Sequence, residues 1–227
     1  AEIESPATIM GAIYLARLYG VDEQVDISPL FETPDVLERG GRFMERLLDE
    51  PEYVAYIRRR GRMSIQFGFS DSGRFMGQIA ADLAIERIHV LISRALAARG
   101  IRDVDVLLFN THGESMGRGA FPGTIEERLD HLLTPWSRGR FARDGLRLQA
   151  EVSFQGGDGY MHFQTQKLAD AAIASLLTWS FAPTAKPKDC FYDDINFSWD
   201  VYRGVKGWQE ALFADRHYQA VLGSFGP

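Results

Sequence analysis

One arrangement recurs along this chain and restricts the folds open to it. An apolar, strand-forming run is followed by polar or glycine-rich sequence, and that by a helix. The strand-like runs are 25–31, 63–69, 104–110 and 146–154. Helical spacing of apolar residues predicts helices over 8–19, 34–49, 52–60, 75–99, 124–133, 161–180 and 197–213, with a turn-rich loop over 183–194. The helix over 75–99 carries the clearest stripe, through Ala81, Ile85, Ile88, Ile92 and Leu96, and stops at Gly100. Strand–helix order repeated four times implies α/β architecture, with a parallel sheet and right-handed crossovers. Two folds fit. One is an open, doubly wound sheet. The other is a (β/α) barrel, which needs eight strands and about 250 residues. With four strands, the chain reads as half a barrel with terminal helices, or as a small open sheet.

The position of the polar residues makes this frame informative. Glu32 and Thr33 follow the first strand, and 70–74 (SDSGR) follow the second. The third is followed by 110–119 (NTHGESMGRG), the fourth by 155–159 (QGGDG). In parallel α/β folds, ligands bind where the loops at the carboxyl ends of the strands converge. Glu32, Asp71, Arg74, Asn110, His112, Arg118 and Gln155 can therefore gather on one side of the sheet. Two carboxylates, two guanidiniums, an imidazole and two amides suit a hard divalent cation beside an anionic substrate. Blander readings exist for each. Glu32 and the Ser70–Ser72 stretch could cap the helices that follow, His112 could be structural, and the glycine-rich loop could be a turn. Their shared register, always just after a strand, favours a common site.

Composition narrows the alternatives. The single cysteine, Cys190, excludes an internal disulfide framework and is compatible with a reducing cytoplasm. Twenty-five basic against 31 acidic residues leave a formal charge of −6. That argues against nucleic acid as the partner but permits a local anion site. The longest apolar stretch, over 171–179, is far short of a membrane span, and the first residues lack the pattern of a signal peptide. Paired histidines at zinc-ligand spacing, a P-loop, a dinucleotide fingerprint and a GxSxG elbow are all missing from the sequence. The chain starts at Ala1 rather than Met, so it is expected to lie inside a longer parent.

The same residues, in the same order, resemble the phosphoenolpyruvate carboxylase family. Residues 29–33 (PLFET) match that family's PLFET segment, and 69–72 (FSDS) are similar to its YSDS, with Arg74 where the family has lysine. Residues 109–122 (FNTHGESMGRGAFP) resemble its FHGRGGxxGRGGxP loop. Gln155 and Gly156 fall at TEQGE, and 200–204 (DVYRG) resemble a segment near its C-terminus. The chain departs from the pattern in places. Asn110 stands for a histidine, His112 for the first loop arginine, Ala120 for a glycine and Gly157 for a glutamate.

The resemblance implies that residues 1–227 are the C-terminal half of a phosphoenolpyruvate carboxylase-type TIM barrel, with four strand–helix units and a C-terminal helical extension. The activity implied is carboxylation of phosphoenolpyruvate with bicarbonate to give oxaloacetate and phosphate. Bicarbonate attacks the phosphoryl group, and the enolate of pyruvate then captures the carbon dioxide released from carboxyphosphate. The cofactor implied is Mg²⁺ or Mn²⁺ on Glu32 and Asp71, since Mg²⁺ commonly takes one or two carboxylates plus substrate oxygens. Arg118, Arg74 and His112 are the implied catalytic residues. Asn110, Gly117, Gly119 and Gln155 are implied in substrate binding. The implied setting is a cytoplasmic homotetramer of the complete enzyme, with the rest of the parent chain as this segment's partner. Without that remainder the segment is expected to be inert. The alternative is a non-catalytic or differently specific paralogue that binds a phosphorylated or keto-acid metabolite.

Overall fold

The computed structural model describes residues 5–111, 122–152, 164–181 and 190–224. Helix α1, Pro6–Leu18, starts at Ser5, whose hydroxyl accepts from the Ala7 amide at 3.1 Å, with Pro6 in the first turn. Strand β1, Leu30–Phe31, leads into α2, Pro34–Leu48, and α3, Pro51–Arg60. Strand β2, Arg62–Gly68, passes directly into α4, Phe69–Met76, and α5, Gln78–Ala98, follows. After β3, Asp105–Thr111, come α6, Ile125–Leu132, and α7, Pro135–Arg143. Thr124 and Glu127 close α6 with a reciprocal capping box. Strand β4, Arg147–Val152, precedes α8, Gln166–Phe181, the short α9, Cys190–Asp193, α10, Ile195–Ala214, and α11, Arg216–Gly223.

The four strands form one parallel sheet in the order β1-β2-β3-β4. That order contains no reversal, whereas a doubly wound sheet has a point where the strand order turns back. The in-register pairs Met63–Val106, Ile65–Leu108 and Phe67–Asn110 share a face by the period-two rule. All six side chains are shut off from solvent, and five of them belong to the apolar core under α2 and α5. The opposite face, with Gln66, Phe109 and Leu30, remains half-exposed among the described residues. Parallel sheets normally cover both faces. Among the described residues, helices cover this one on a single side, although Ser64 and Leu107 of the other face are also buried.

The sheet and its helices interlock closely. Phe31 stacks on Phe67 at 5.7 Å and meets Phe43 of α2 edge-on at 5.8 Å. Helices α2 and α5 cross at Gly40 and Gly41. A Cβ at Gly40 would lie 2.8 Å from Ile88 Cδ1, and one at Gly41 2.2 Å from Leu91 Cδ1. Helix α10 lies across both. Its Tyr202, wholly buried, donates to Glu38 Oε1 at 2.8 Å, and Lys206 pairs with the same oxygen.

Several elements differ from the sequence expectation. The first strand shrinks from 25–31 to two residues, because other groups hold the segment before it. Tyr56 Oη accepts from the Ile27 amide at 2.9 Å and donates to the Val25 carbonyl at 2.8 Å. The loop expected over 70–74 is helix α4, and the helix expected over 75–99 starts at Gln78, the two divided at Gly77. The φ of +82° there is open to glycine and strained for other residues. Helix α7 was not anticipated, and neither was the helical turn of α9 within the expected loop over 183–194. The helix expected over 197–213 ends at Ala214, and Asp215 caps a further helix, α11.

Candidate functional site

The site is built at the carboxyl edge of β1, β2 and β3. Glu32 follows β1 immediately, and its side chain lies against Gly68, the last residue of β2. A Cβ at position 68 would come within 2.7 Å of Glu32 Oε2 and 2.6 Å of its Cβ. Only glycine leaves that carboxylate its place. The N-cap of α2 is Thr33, and no side chain caps that helix, so Glu32 is not a capping residue. Beyond Gly68 the chain turns straight into α4. Ser72, wholly buried, fixes this turn by donating from Oγ to the Gly68 carbonyl at 2.8 Å. Asp71 thereby falls in the first turn of α4, where the helix dipole favours a negative charge.

Asp71 and Arg74 form an i,i+3 ion pair at 3.3 Å, with the Asp71 side chain 44% exposed and that of Arg74 70% exposed. An exposed pair of this kind contributes little to stability. Both side chains are therefore available to a ligand at modest cost. Glu32 and Asp71 thus stand at the ends of neighbouring strands. Among the described residues, no group of three or more His, Cys, Asp and Glu converges to hold a metal ion. The expected set is a pair of oxygen donors, the donor type a hard cation takes.

Asn110 has a different setting. It is the register partner of Phe67 and so faces the helix-covered side with Val106 and Leu108. Its side chain is wholly buried, and neither Oδ1 nor Nδ2 has a hydrogen-bond partner. The neighbouring Thr111 faces the other way and donates from Oγ1 to the Phe67 carbonyl at 3.0 Å. The structure therefore joins Asp71 with Arg74 and seats Glu32 on Gly68, but sets Asn110 behind the sheet. His112, Gly117, Arg118, Gly119 and Gln155 lie outside the described residues. Tyr202, within the 200–204 segment of the resemblance, locks α10 to Glu38 of α2.

A polar seam along α5 went unread in the sequence. Asp82, Glu86, His89 and Ser93 recur at helical spacing. Asp82, Glu86 and Ser93 meet α6, α7 and the turn before β4, while His89 meets Phe67 of β2 edge-on at 5.0 Å. His131 Nε2 lies 3.0 Å from Asp82 Oδ2. Glu86 Oε1 accepts from Thr134 and Ser137, both at 2.8 Å, and Ser93 donates to Asp144 at 2.6 Å. Burial raises the Asp82 carboxyl above its ordinary value despite the hydrogen bond from His131. The same hydrogen bond raises the imidazole, against the effect of burial. The signal was present as polar residues at 82, 86, 89 and 93, spaced to share one side of the helix. Beside this seam a cavity of about 800 Å³ reaches from Phe69 to Trp136 and Tyr192, which stack at 4.7 Å. Its described lining includes four carboxylates, Asp82, Glu86, Glu127 and Asp130.

Comparison with known proteins adds an independent line. The family model described as phosphoenolpyruvate carboxylase matches residues 2–125. A phosphoenolpyruvate carboxylase of Aeromonas hydrophila is 27% identical over 208 residues, covering 88% of this chain and 22% of that protein. One from Thermus thermophilus is 32% identical over 162 residues, or 69% of this chain and 18% of its own length. One from Chromohalobacter salexigens is 36% identical over 118 residues, covering 52% of this chain. The chain spans at most about a fifth of the length of these relatives. No helix among the described residues is long and apolar enough to cross a membrane.

Proposed function

The chain belongs to the phosphoenolpyruvate carboxylase family, and from that premise we propose that it supplies the metal- and phosphate-binding half of a carboxylase active site. In this reading the four strands are part of a (β/α) barrel whose other strands belong to a longer polypeptide. The consecutive strand order and the single helix-covered face support it. So do the two outer strands, β1 and β4, each paired on one side only among the described residues.

The observation that carries the reading is the Glu32 carboxylate seated against Gly68, one helical turn from Asp71 in sequence. Glu32 and Asp71 would hold Mg²⁺ or Mn²⁺. The chemistry a divalent cation supplies, when bound, is neutralisation of charge developing on a substrate oxygen. Arg74 is exposed and, among the described residues, its ion pair is with Asp71, so it can turn to a phosphate. Arg118, between Gly117 and Gly119, is proposed to meet the transferring phosphoryl group bidentately while the flanking glycines admit the backbone. His112 and Gln155 are proposed as hydrogen-bonding groups for phosphate or bicarbonate. Asn110 lies behind the sheet with its side chain buried and is not proposed to touch the substrate. The reaction joins phosphoenolpyruvate and bicarbonate to give oxaloacetate and phosphate. The intact enzyme is proposed to be a cytoplasmic homotetramer, on the resemblance alone.

The test is oxaloacetate formation from phosphoenolpyruvate and bicarbonate by the parent protein and its variants. Asp71→Asn is expected to abolish most metal-dependent turnover with the fold retained. Arg118→Lys is expected to lose on the order of 10²-fold in turnover, as for removal of one preorganised donor. An Asp71→Asn protein that binds Mn²⁺ as tightly as the parent would remove Asp71 from the metal site. A parent protein that binds Mn²⁺ and phosphoenolpyruvate yet forms no oxaloacetate would instead be the paralogue of different specificity.

A further inference from the structure

On the α2 flank of α5 there is a second concave site whose charge is opposite to that of the acid-lined cavity. It encloses about 470 Å³ in the groove between α2 and α5, with Trp199 of α10 as one wall. Arg39, Arg42 and Arg87 line it, with Glu38 and Glu45 as the opposing charges. The existing pairs account for only part of this set. Arg39 is bound to Asp35 at 2.9 Å. Glu38 is committed to Tyr202 and Lys206. No carboxylate of a described residue lies within ion-pair distance of Arg42 or Arg87.

Arg87 is the more telling of the two. Its guanidinium carbon lies 4.3 Å over the Trp199 ring, and its Nε is shut off from solvent with no hydrogen-bond partner. Burial pulls this guanidinium below its ordinary value, and the nearby Arg42 charge pulls the same way, against Tyr202 and Glu38. A partly desolvated cation beside a like charge is costly unless something offsets it. Trp199 offsets a part through the cation–π contact. The remainder calls for an anion inside the groove.

We infer that the groove between α2, α5 and α10 binds a small anion whose carboxylate or phosphate oxygens are gripped by Arg42 and Arg87. Both groups present paired oxygens that a guanidinium fork meets bidentately. Leu91 and Trp199 give the site an apolar wall, so a short carbon body between charged ends also has a place. Gly41 belongs to the same lining and keeps α2 near enough to α5 for the two arginines to face one ligand. The site is separate from the strand ends that carry Glu32 and Asp71, and it does not depend on the carboxylase reading.

Calorimetric titration of the parent protein tests it, with malonate and with inorganic phosphate as probes at fixed ionic strength. All titrations are run in a background carrying both Arg74→Gln and Arg118→Gln, so that the proposed catalytic phosphate site does not contribute. Saturable binding of one anion per chain is expected. Arg42→Gln and Arg87→Gln should each weaken it roughly tenfold or more, the loss expected for one charge-assisted hydrogen bond. Arg87→Lys should recover only part of the loss, because it keeps the charge without the fork. Arg42 is exposed and outside the core, so its variant should keep the parent's circular dichroism and tests the site even if Arg87→Gln fails to fold. Tighter malonate names a dicarboxylate as the ligand class and tighter phosphate a phosphoryl compound, and either ranking supports the site. No saturable binding in that double-variant background would overturn the inference. So would affinity unchanged by Arg42→Gln in a folded protein.

Discussion

Helices α5 and α8 are rich in the same residues, alanine, leucine and isoleucine, yet they meet opposite fates. Helix α5 buries residues on nearly every side, including Ala81, Ile85, Ile88, Ile92 and Leu96. Helix α8 buries Ala172 alone, and leaves Leu168, Ile173, Leu177 and Phe181 exposed. Composition does not separate them, but position in the winding does. Helix α5 follows the inner strand β2 and has α2 on one flank, α7 on the other and α10 above. Helix α8 follows the outer strand β4 and has α6 as its main helical neighbour. A helix behind an outer strand lacks the neighbour that another strand–helix unit would bring. The same holds for the strands. Met63, Ile65, Val106 and Leu108 of the inner pair are sealed, while Leu148 and Ala150 of β4, on the same face, stay half-exposed.

The sharpest way to break this comparison is to truncate the inner helix. Ile88 is wholly buried and touches the α2 crossing at Gly40. Ile88→Ala is expected to cost about 2–5 kcal/mol, measured by urea unfolding, because the surrounding sheet and helices cannot collapse into the gap. A cost under about 1 kcal/mol would mean that the inner unit is as loosely packed as the outer one.

A smaller effect is expected from filling the crossing rather than emptying it. Gly41→Ala places a methyl group 2.2 Å from Leu91 Cδ1 and 3.2 Å from its Cβ, so the α5 side chain must swing away. Alanine gains about 1 kcal/mol in helix propensity over glycine. Overpacking costs typically 1–3 kcal/mol. The net expectation is a loss of about 1 kcal/mol. An increase in melting temperature for Gly41→Ala would show that Leu91 yields freely and that α2 and α5 are not tightly engaged.

The docking of α10 gives the pH-dependent case. Burial pulls the Glu38 carboxyl upward, but hydrogen bonds from Lys206 and Tyr202 outweigh it and hold the group below its ordinary value. A carboxyl lowered in the folded state stabilises it above the unfolded value of 4.5, and that stability is lost as pH falls through the lower folded value. Tyr202→Phe removes one of the two bonds and is expected to cost about 1 kcal/mol at pH 7. The difference from the parent should narrow as pH falls below 4.5 and through the lower folded value, where Glu38 takes up its proton in both. Unfolding curves at pH 7 and pH 3 check this, and a gap that widens in acid would contradict it.

Much of this division was legible in the sequence, and the exceptions have physical causes. Buried parallel strands read as apolar runs, so 63–69 and 104–110 emerged nearly as they are. The first strand was overread because Tyr56 and Ser64, distant in sequence, hold residues 25–28 without a ladder. Ser28 Oγ, for instance, donates to Ser64 Oγ at 2.6 Å. Helix α7 was missed because PWSRGRFAR has little apolar periodicity, and its burial rests on Trp136 and Phe141 alone among large apolar groups. At the site, Glu32 and Asp71 were legible as carboxylates just beyond strands. What sequence could not convey was that Gly68 makes room for one and that Arg74 pairs with the other. The facing of Asn110 turns on register, where one residue reverses the side. The seam from Asp82 to Ser93 was masked by the stronger apolar stripe on the same helix.

The smallest expected effect falls on the outer helix. Ile173 of α8 is 54% exposed, so Ile173→Ala removes contacts that the chain by itself hardly makes. Alanine is also the better helix former, by up to about 0.7 kcal/mol. In the 227-residue chain the net change should stay within about 0.5 kcal/mol, as at surface positions generally. The parent protein should respond differently if the next strand–helix unit packs over α8. There the same substitution would empty a filled site and cost about 2 kcal/mol or more. Parallel unfolding measurements on the two lengths therefore read out whether α8 becomes an inner helix. Equal and small effects in both would show that α8 keeps its apolar face in water even in the longer protein, and that the contrast with α5 is intrinsic to the fold.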